Sequence, residues 1–259
     1  MLIHFYKYHG TGNDFILMDN RQAQFGSGNQ MVVNRLCDRK FGIGADGLML
    51  LSDHEQYDFE MKYFNADGLE GSFCGNGARC IAAFAYRSGI AAKSMHFKAY
   101  DGPHEALVVS NQVRVTMNDV TRIEKREGFF FLDTGSPHAV FSRSDVRTMD
   151  AYEEGKKIRY SQPFEPGGTN VTFFQAEGNT LFIRTYERGV ENETLSCGTG
   201  VVAAAICAVM DGKIANAPVP VQTLGGKLEV DFTITSENQV TGIWLTGPVS
   251  FVFEGKIEI

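Results

Sequence analysis

Phe73-Cys74-Gly75-Asn76-Gly77-Ala78 and Ser196-Cys197-Gly198-Thr199-Gly200-Val201 are two versions of one phrase, set 123 residues apart. Each follows a strand-like run and opens an apolar, helix-like run. The same offset carries Thr11-Gly12 onto Thr134-Gly135. The chain therefore reads as two half-repeats, each with a cysteine at the start of its central helix. Two thiols at equivalent places suggest a site with one thiol on either side of a substrate. That arrangement suits inversion of a carbon centre.

Composition sets the frame for this reading. The 259 residues suffice for two medium domains, and 43% hydrophobic with 21% charged residues is the balance of an ordinary water-soluble globule. A net charge of −7 and a pI near 5.4 argue against nucleic acid or an anionic membrane as partner. No run approaches the roughly 18 apolar residues of a membrane span. Met1–Lys7 lacks a basic, cleavable leader pattern, so no signal peptide is expected. Five cysteines suit a reducing compartment better than a disulfide framework, which predicts a cytoplasmic protein. Cys74-x5-Cys80 fits no common zinc spacing, and no histidine pair completes one, so no metal is expected.

Working outward, residues 2–9 and 14–19 read as strands around Gly10-Thr11-Gly12-Asn13. A helix is predicted at 29–40, with Val32, Leu36 and Phe41 on one stripe. Strands follow at 47–52 and 58–64, then the turn Asn65-Ala66-Asp67-Gly68. The first central helix is predicted at 76–88 with Gly89 as its C′ residue. Residues 105–109 and 112–117 form a hairpin across Ser110-Asn111. The second half replays the order: strands at 128–134 and 138–142, a helix near 144–157, and strands at 170–176 and 180–187. The second central helix, 199–210, ends at Gly212, and strands at 219–223, 227–234, 239–246 and 250–258 close the chain. The polar stretch Asn118–Gly128 is the best boundary. The fold class expected is α+β: two pseudo-symmetric repeats, each a mixed, mostly antiparallel sheet around a central helix, with the active site between them. The domains are then 1–118, with tail strand 249–259 a candidate to join it, and 119–248.

The chemistry follows from the two phrases. A helix N-terminus carries unpartnered N–H groups and partial positive charge, and glycine lets a ligand approach them. A carboxylate is the group that docks there. The same field favours thiolate over thiol. A single copy reads equally as an inert buried cysteine; two copies at a fixed offset favour function. A redox pair is the alternative, although such pairs are commonly close in sequence. Cys37, Cys80 and Cys207 fall within helical patterns and read as packing residues. Gly42-Ile43-Gly44-Ala45-Asp46-Gly47 has the letters of a dinucleotide fingerprint, but it precedes a strand where the fingerprint opens a helix, so it reads as a glycine turn. His138, alone, reads as structural. Glu187-Arg188 ends a strand ten residues before Cys197, and Asn13, Asn65 and Asn170 sit in turns that favour Asn for backbone reasons.

Together these motifs resemble the diaminopimelate epimerase family. The matching stretches are His9–Phe15, Phe41–Gly47, Phe64–Gly68, Cys74–Arg79, Gly168–Val171, Glu187–Gly189 and Cys197–Gly200, in family order across nearly the whole chain. The resemblance implies a cofactor-independent epimerase that converts LL-diaminopimelate to the meso form, in the cytoplasm, in lysine and peptidoglycan-precursor synthesis. It implies that Cys74 and Cys197 are acid/base thiols. It assigns Asn13, Asn65, Asn170 and Arg188 to the distal amino-acid end, and Gly75, Asn76, Gly198 and Thr199 to the reacting end. His138 and Glu187 would assist at the reacting centre, with Glu187 also touching substrate. A homodimer is implied as well.

The chain departs from the family pattern in four places. Ser136 stands where Asn is common, Gly47 where many members carry Gln, and Phe253 where some place a Tyr at the dimer contact. The segment Gly189–Leu195 is one residue longer than usual. Three alternatives stay open on the residues alone. A proline-racemase-like isomerase would often carry Cys-Gly-His-Gly in the first motif. A non-catalytic amino-acid-binding module would have no need of both thiols. A thiol-redox protein would have no need of the Asn and Arg set.

Overall fold

The computed structural model describes residues 2–23, 25–26 and 30–258. Of these, the residues within Met1–Val115 and Gly247–Ile259 form one compact unit, and those of Thr116–Thr246 form another.

The first unit runs β1 (Leu2–Gly10), β2 (Asn13–Asp19), α1 (Gln30–Cys37), β3 (Gly47–Ser52), β4 (Phe59–Asn65), α2 (Gly75–Arg87), β5 (Ser94–Ala99), β6 (Gly102–Val109) and β7 (Gln112–Thr116). Neighbours joined by a short turn pair antiparallel: β1 with β2, β3 with β4, β5 with β6, β6 with β7. Neighbours joined through a helix pair parallel: β2 with β3 across α1, β4 with β5 across α2. This is the geometry a helical crossover imposes. The runs Phe15–Met18 in β2 and Leu48–Leu51 in β3 are apolar at every position because both sheet faces are covered. Ile16, Met18, Leu48 and Leu50 pack with Val33 and Leu36 of α1. On the other face, α2 rests on β1, β2 and β3.

The second unit runs β8 (Ile123–Arg126), β9 (Phe129–Asp133), β10 (Pro137–Ser142), α3 (Ala151–Arg159), β11 (Asn170–Glu177), β12 (Thr180–Glu187), β13 (Asn192–Thr194), α4 (Gly198–Met210), β14 (Val219–Thr223), β15 (Gly226–Ser236) and β16 (Gln239–Pro248). Its pairings repeat those of the first. β9–β10, β11–β12, β14–β15 and β15–β16 are antiparallel, while β10–β11 and β12–β14 are parallel across α3 and α4. α3 covers Val171, Phe173, Phe182 and Tyr186, and α4 lies against the opposite face. The chain closes with β17 (Ser250–Glu258), which returns to pair antiparallel with β1 of the first unit. β8 makes the same pairing to β9.

Several sequence expectations need correction. The first helix ends at Cys37, not 40; Asn29 lies outside the described residues. Phe41 is not on its buried stripe and is 81% exposed. The cause is Asp38, whose Oδ1 accepts the N–H groups of Lys40 and Phe41 and turns the chain away from the helix. The helix predicted near 144–157 starts only at Ala151, because Asp150 caps it by accepting the Glu153 N–H at 3.0 Å. The stretch Asn118–Gly128 is not all loop. It holds β8, joined to β9 by a turn in which Gly128 has φ +83°. The sequence reading also passed over β5 and β13.

The approach of α3 to β12 runs through Gly155. A Cβ there would stand 2.4 Å from the Tyr186 Cβ and 2.9 Å from its Cγ. Alanine gains about 1 kcal/mol of helix propensity, but overpacking against a fixed neighbour costs about 1–3 kcal/mol. Gly155→Ala is expected to lower stability by up to about 2 kcal/mol in urea unfolding. A variant more stable than the parent would contradict this packing.

Candidate active site: two cysteine-capped helices

Each central helix is capped by a cysteine in the same extended backbone conformation. Cys74 has φ −118°, ψ 108° before α2, and Cys197 has φ −108°, ψ 111° before α4. Neither side chain accepts a first-turn N–H. Ser, Thr or Asp would fill this end with its own oxygen; cysteine keeps the helix field available to a ligand. Both helices are buried on nearly all sides, so these ends are where their polar groups can meet a substrate.

The second glycine of each phrase serves packing, where the sequence suggested ligand approach. A Cβ on Gly77 would lie 1.7 Å from Met49 Cε. One on Gly200 would lie 2.9 Å and 3.0 Å from the Thr185 and Thr172 hydroxyls and 3.2 Å from His138 Cε1. Glycine here lets the helix settle onto the sheet.

Around Cys74 the shell contains a buried cation. The thiol donates to Asn13 Oδ1 at 3.8 Å, and Asn76 Nδ2 donates to the same oxygen at 3.3 Å. Asn76 Oδ1 in turn accepts from Arg79 Nη2 at 2.9 Å. Arg79 is fully buried, and its longer contacts reach Thr11 Oγ1 and the Gly75 carbonyl, both at 3.4 Å. Burial lowers its pKa to about 10, so it stays charged at neutral pH. Asn13 is held from behind by Asp46 Oδ2 at 2.7 Å. Arg39 bridges Asp46 and Asp14, and Lys7 also pairs with Asp14. Burial alone would raise the Asp14 carboxyl, but hydrogen bonds from Arg39 and Lys7 hold it well below the usual range. Asn65 ends β4 opposite Gly47 and is exposed. Position 47 is closed to side chains here, since a Cβ would lie 2.6 Å from the Phe64 carbonyl oxygen.

Around Cys197 the sulfur meets a chain of hydroxyls and a buried imidazole. The sulfur lies 3.4 Å from Thr199 Oγ1, which lies 2.9 Å from His138 Nε2. His138 Nδ1 meets Thr172 Oγ1 at 3.0 Å, and Thr172 meets Thr185 at 3.2 Å. His138 is fully buried; that burial, helped by the Arg188 charge, lowers its pKa to about 3. The neutral ring donates through one nitrogen and accepts through the other. Reversing the tautomer reverses the whole chain, so Thr199 can offer Cys197 either a hydrogen or a lone pair.

Asn170 is fixed on three sides. Its Nδ2 donates to Ser136 Oγ at 2.7 Å and to the Pro137 carbonyl at 3.0 Å, and its Oδ1 accepts the Arg188 N–H at 2.8 Å. Ser136, which stands where the family commonly has Asn, is in direct contact with Asn170. The Arg188 side chain is exposed and makes no ion pair or hydrogen bond among the described residues. Glu187 Oε1 accepts from Thr194 Oγ1. The sequence reading missed Arg79, Thr172, Thr185 and Thr194. Arg79 alone left a signal, a basic residue within an apolar helix. Cys37, Cys80 and Cys207 are buried, and burial pushes the Cys37 thiol up to about 12 and raises the other two well above the usual thiol range.

The diaminopimelate epimerase family model matches residues 5–123 and 130–252. Diaminopimelate epimerase of Flavobacterium psychrophilum is 46% identical over 97% of this chain and 99% of its own length. The enzyme of the same name from Chlorobaculum tepidum is 41% identical over 96% of this chain and 99% of its own length. Among solved structures, a Bacillus anthracis phenazine biosynthesis protein of the PhzF family superposes with a TM-score of 0.76 at 15% identity, covering all of both chains. A probable proline racemase from Agrobacterium radiobacter gives 0.71 at 13% identity, over 99% of this chain and 93% of its own. These two show a shared fold.

The buried neutral His138 has a consequence for stability. The unfolded chain binds a proton at His138 below about pH 6.5, whereas the folded chain resists it until about pH 3. The unfolded state then holds more protons, so stability falls as pH drops through this window, by at most about 1.4 kcal/mol per pH unit from this group. Urea midpoints at pH 7, 6 and 5 are expected to decline more steeply for the parent than for His138→Asn. Equal slopes would show that His138 is protonated in the fold.

Proposed function

The chain belongs to the diaminopimelate epimerase family, and we propose that it converts LL-2,6-diaminopimelate to the meso isomer with Cys74 and Cys197 as acid/base thiols and no organic cofactor. The observation that carries this reading is the pair of cysteines capping equivalent buried helices with matching backbone angles.

In this mechanism one thiolate takes the α-hydrogen as a proton. The electron pair of the broken C–H bond stays on the α-carbon and spreads into its carboxylate. The other thiol then delivers a proton to the opposite face and becomes the thiolate. No net oxidation occurs, and one turnover exchanges the two protonation states. The costly species is the carbanion. The N–H groups at Gly75, Asn76, Gly198 and Thr199 receive its charge without reorganising. The reversible polarity of the Thr199–His138–Thr172 chain matches a Cys197 that must serve in both states. Glu187 assists there. Asn13, Asn65, Asn170 and Arg188 hold the distal amino-acid end, which must be fixed because the two ends of the substrate are chemically alike.

The functional halves are 1–118, joined by 249–259, and 119–248. The enzyme acts in the cytoplasm, in lysine and peptidoglycan-precursor synthesis, without nucleic-acid or membrane partners. It works as a homodimer, a reading that exposed Val252 and Phe253 on β17 support.

Incubation with LL-diaminopimelate in D2O tests the reading: NMR is expected to show deuterium at one α-position and the meso product. Cys74→Ala and Cys197→Ala should each reduce turnover about 100-fold or more with the fold intact by circular dichroism. A folded variant keeping a tenth of parental activity would end the two-thiol mechanism. Arg188→Lys should lose roughly 2 kcal/mol in kcat/KM, about 30-fold, because an ammonium cannot reproduce the two-pronged match to a carboxylate. A surface arginine without a role would change it by no more than about 0.5 kcal/mol.

A further inference from the structure

Two peptide N–H groups flank the Arg188 carbonyl carbon, and each is pinned by a side chain. The Arg188 N–H goes to Asn170 Oδ1 at 2.8 Å, and the Gly189 N–H goes to Glu191 Oε1 at 2.9 Å. Glu191 is itself clamped. Arg159 Nη2 donates to its Oε1 at 2.9 Å, the Tyr160 hydroxyl to its Oε2 at 2.7 Å, and the Tyr186 hydroxyl to the same oxygen at 3.4 Å. The Glu191 N–H returns to the Glu187 carbonyl at 2.8 Å, and its φ of +54° closes a tight turn.

Arg159 also reaches the segment that leads into Asn170, the other pinning residue. Its Nη1 lies 3.4 Å from the Gly167 carbonyl oxygen, and a Cβ on Gly168 would come within 1.1 Å of that nitrogen. One guanidinium, 12% exposed, therefore packs on the strand-entry segment that carries Asn170 and bonds the turn that follows Arg188.

We propose that Glu191, clamped by Arg159 and Tyr160, is a positioning residue that holds the Arg188 backbone so that its guanidinium meets the distal carboxylate of the substrate. The inference rests on the distal-end role of Arg188 given above. Glu191 touches no reacting atom; it acts through the backbone on either side of Arg188. Its carboxyl is held low, to about 2: burial would raise it, but the Gly189 N–H, the Tyr160 hydroxyl and Arg159 outweigh burial. The carboxylate is thus ionised wherever the enzyme works.

The test compares Glu191→Gln, Arg159→Met and Tyr160→Phe with the parent, each alone and in an Arg188→Lys background, using LL-diaminopimelate. Tyr160 is 55% exposed, so its variant folds even if the others are weakened. The expected result is a KM raised about 10-fold for Glu191→Gln and Arg159→Met and about 3-fold for Tyr160→Phe, with kcat within about 2-fold, the pattern of lost binding shared by ground and transition states. In the Arg188→Lys background these effects should largely vanish, because both changes strike one interaction. Folded variants with parental KM, or with KM effects equally large beside Arg188→Lys, would overturn the inference while leaving the epimerase reading in place. A parent chain with no turnover of LL-diaminopimelate would overturn that reading and this inference with it.

Discussion

A helix buried on nearly every side has only its ends left for polar business, and that constraint organises both units. In α2 and α4 the side surfaces are spent on packing, down to glycines at 77 and 200 that admit no Cβ. The first-turn N–H groups still carry partial positive charge. Placing cysteine at the cap, in place of an oxygen-bearing residue, leaves that charge unanswered by the cap side chain. A carboxylate is the natural complement of that charge, and the proposed mechanism places the α-carboxylate of the substrate there, beside the sulfur. Fold and chemistry thus share one cause.

Much of this was legible in the sequence. The alternation of turns and apolar runs located most strands, and the repeated cysteine phrase located both central helices and their caps. What escaped has local physical reasons. Asp38 and Asp150 redirect the chain through side-chain acceptors that periodicity does not register, so the first helix was drawn too long and α3 too early. β8 is four residues with three charges and resembles a linker until its partner is known. Thr172 and Thr185 are ordinary strand residues by type. Only the register that turns them toward α4 makes them a hydroxyl chain behind His138. The bond between Asn170, at the start of β11, and Ser136 likewise joins residues 34 positions apart.

The repeat is closer in topology than in sequence. Every pairing of the first unit has its counterpart in the second, including the outer strand on β1 and β9. That strand comes from different places: β8 arrives across a short turn, while β17 arrives from the far end of the chain. The first unit therefore depends on a long-range pairing for a strand that the second makes locally. Such pairings carry a larger ordering cost before they are rewarded. The alternating burial of Ile3 and Phe5 beneath β17 gives the return strand an apolar surface to settle on.

Against this common backbone, the two cysteine shells diverge. Behind Cys74 lies a fixed cation, Arg79, bonded to Asn76 and shielded from water. Behind Cys197 lies a ring held neutral by its burial, linked to the sulfur through one hydroxyl. A fixed cation favours a thiolate whatever the state of the reaction, whereas a reversible hydroxyl chain accommodates thiol and thiolate alike. In an epimerisation the two faces of the α-carbon are not equivalent, because the distal end keeps its own handedness throughout. In the proposed mechanism the helix ends answer what the two half-reactions share, the charge on the α-carboxylate. On the same proposal, the side chains behind each sulfur answer what they do not share, the difference between removing a proton from one stereoisomer and from the other.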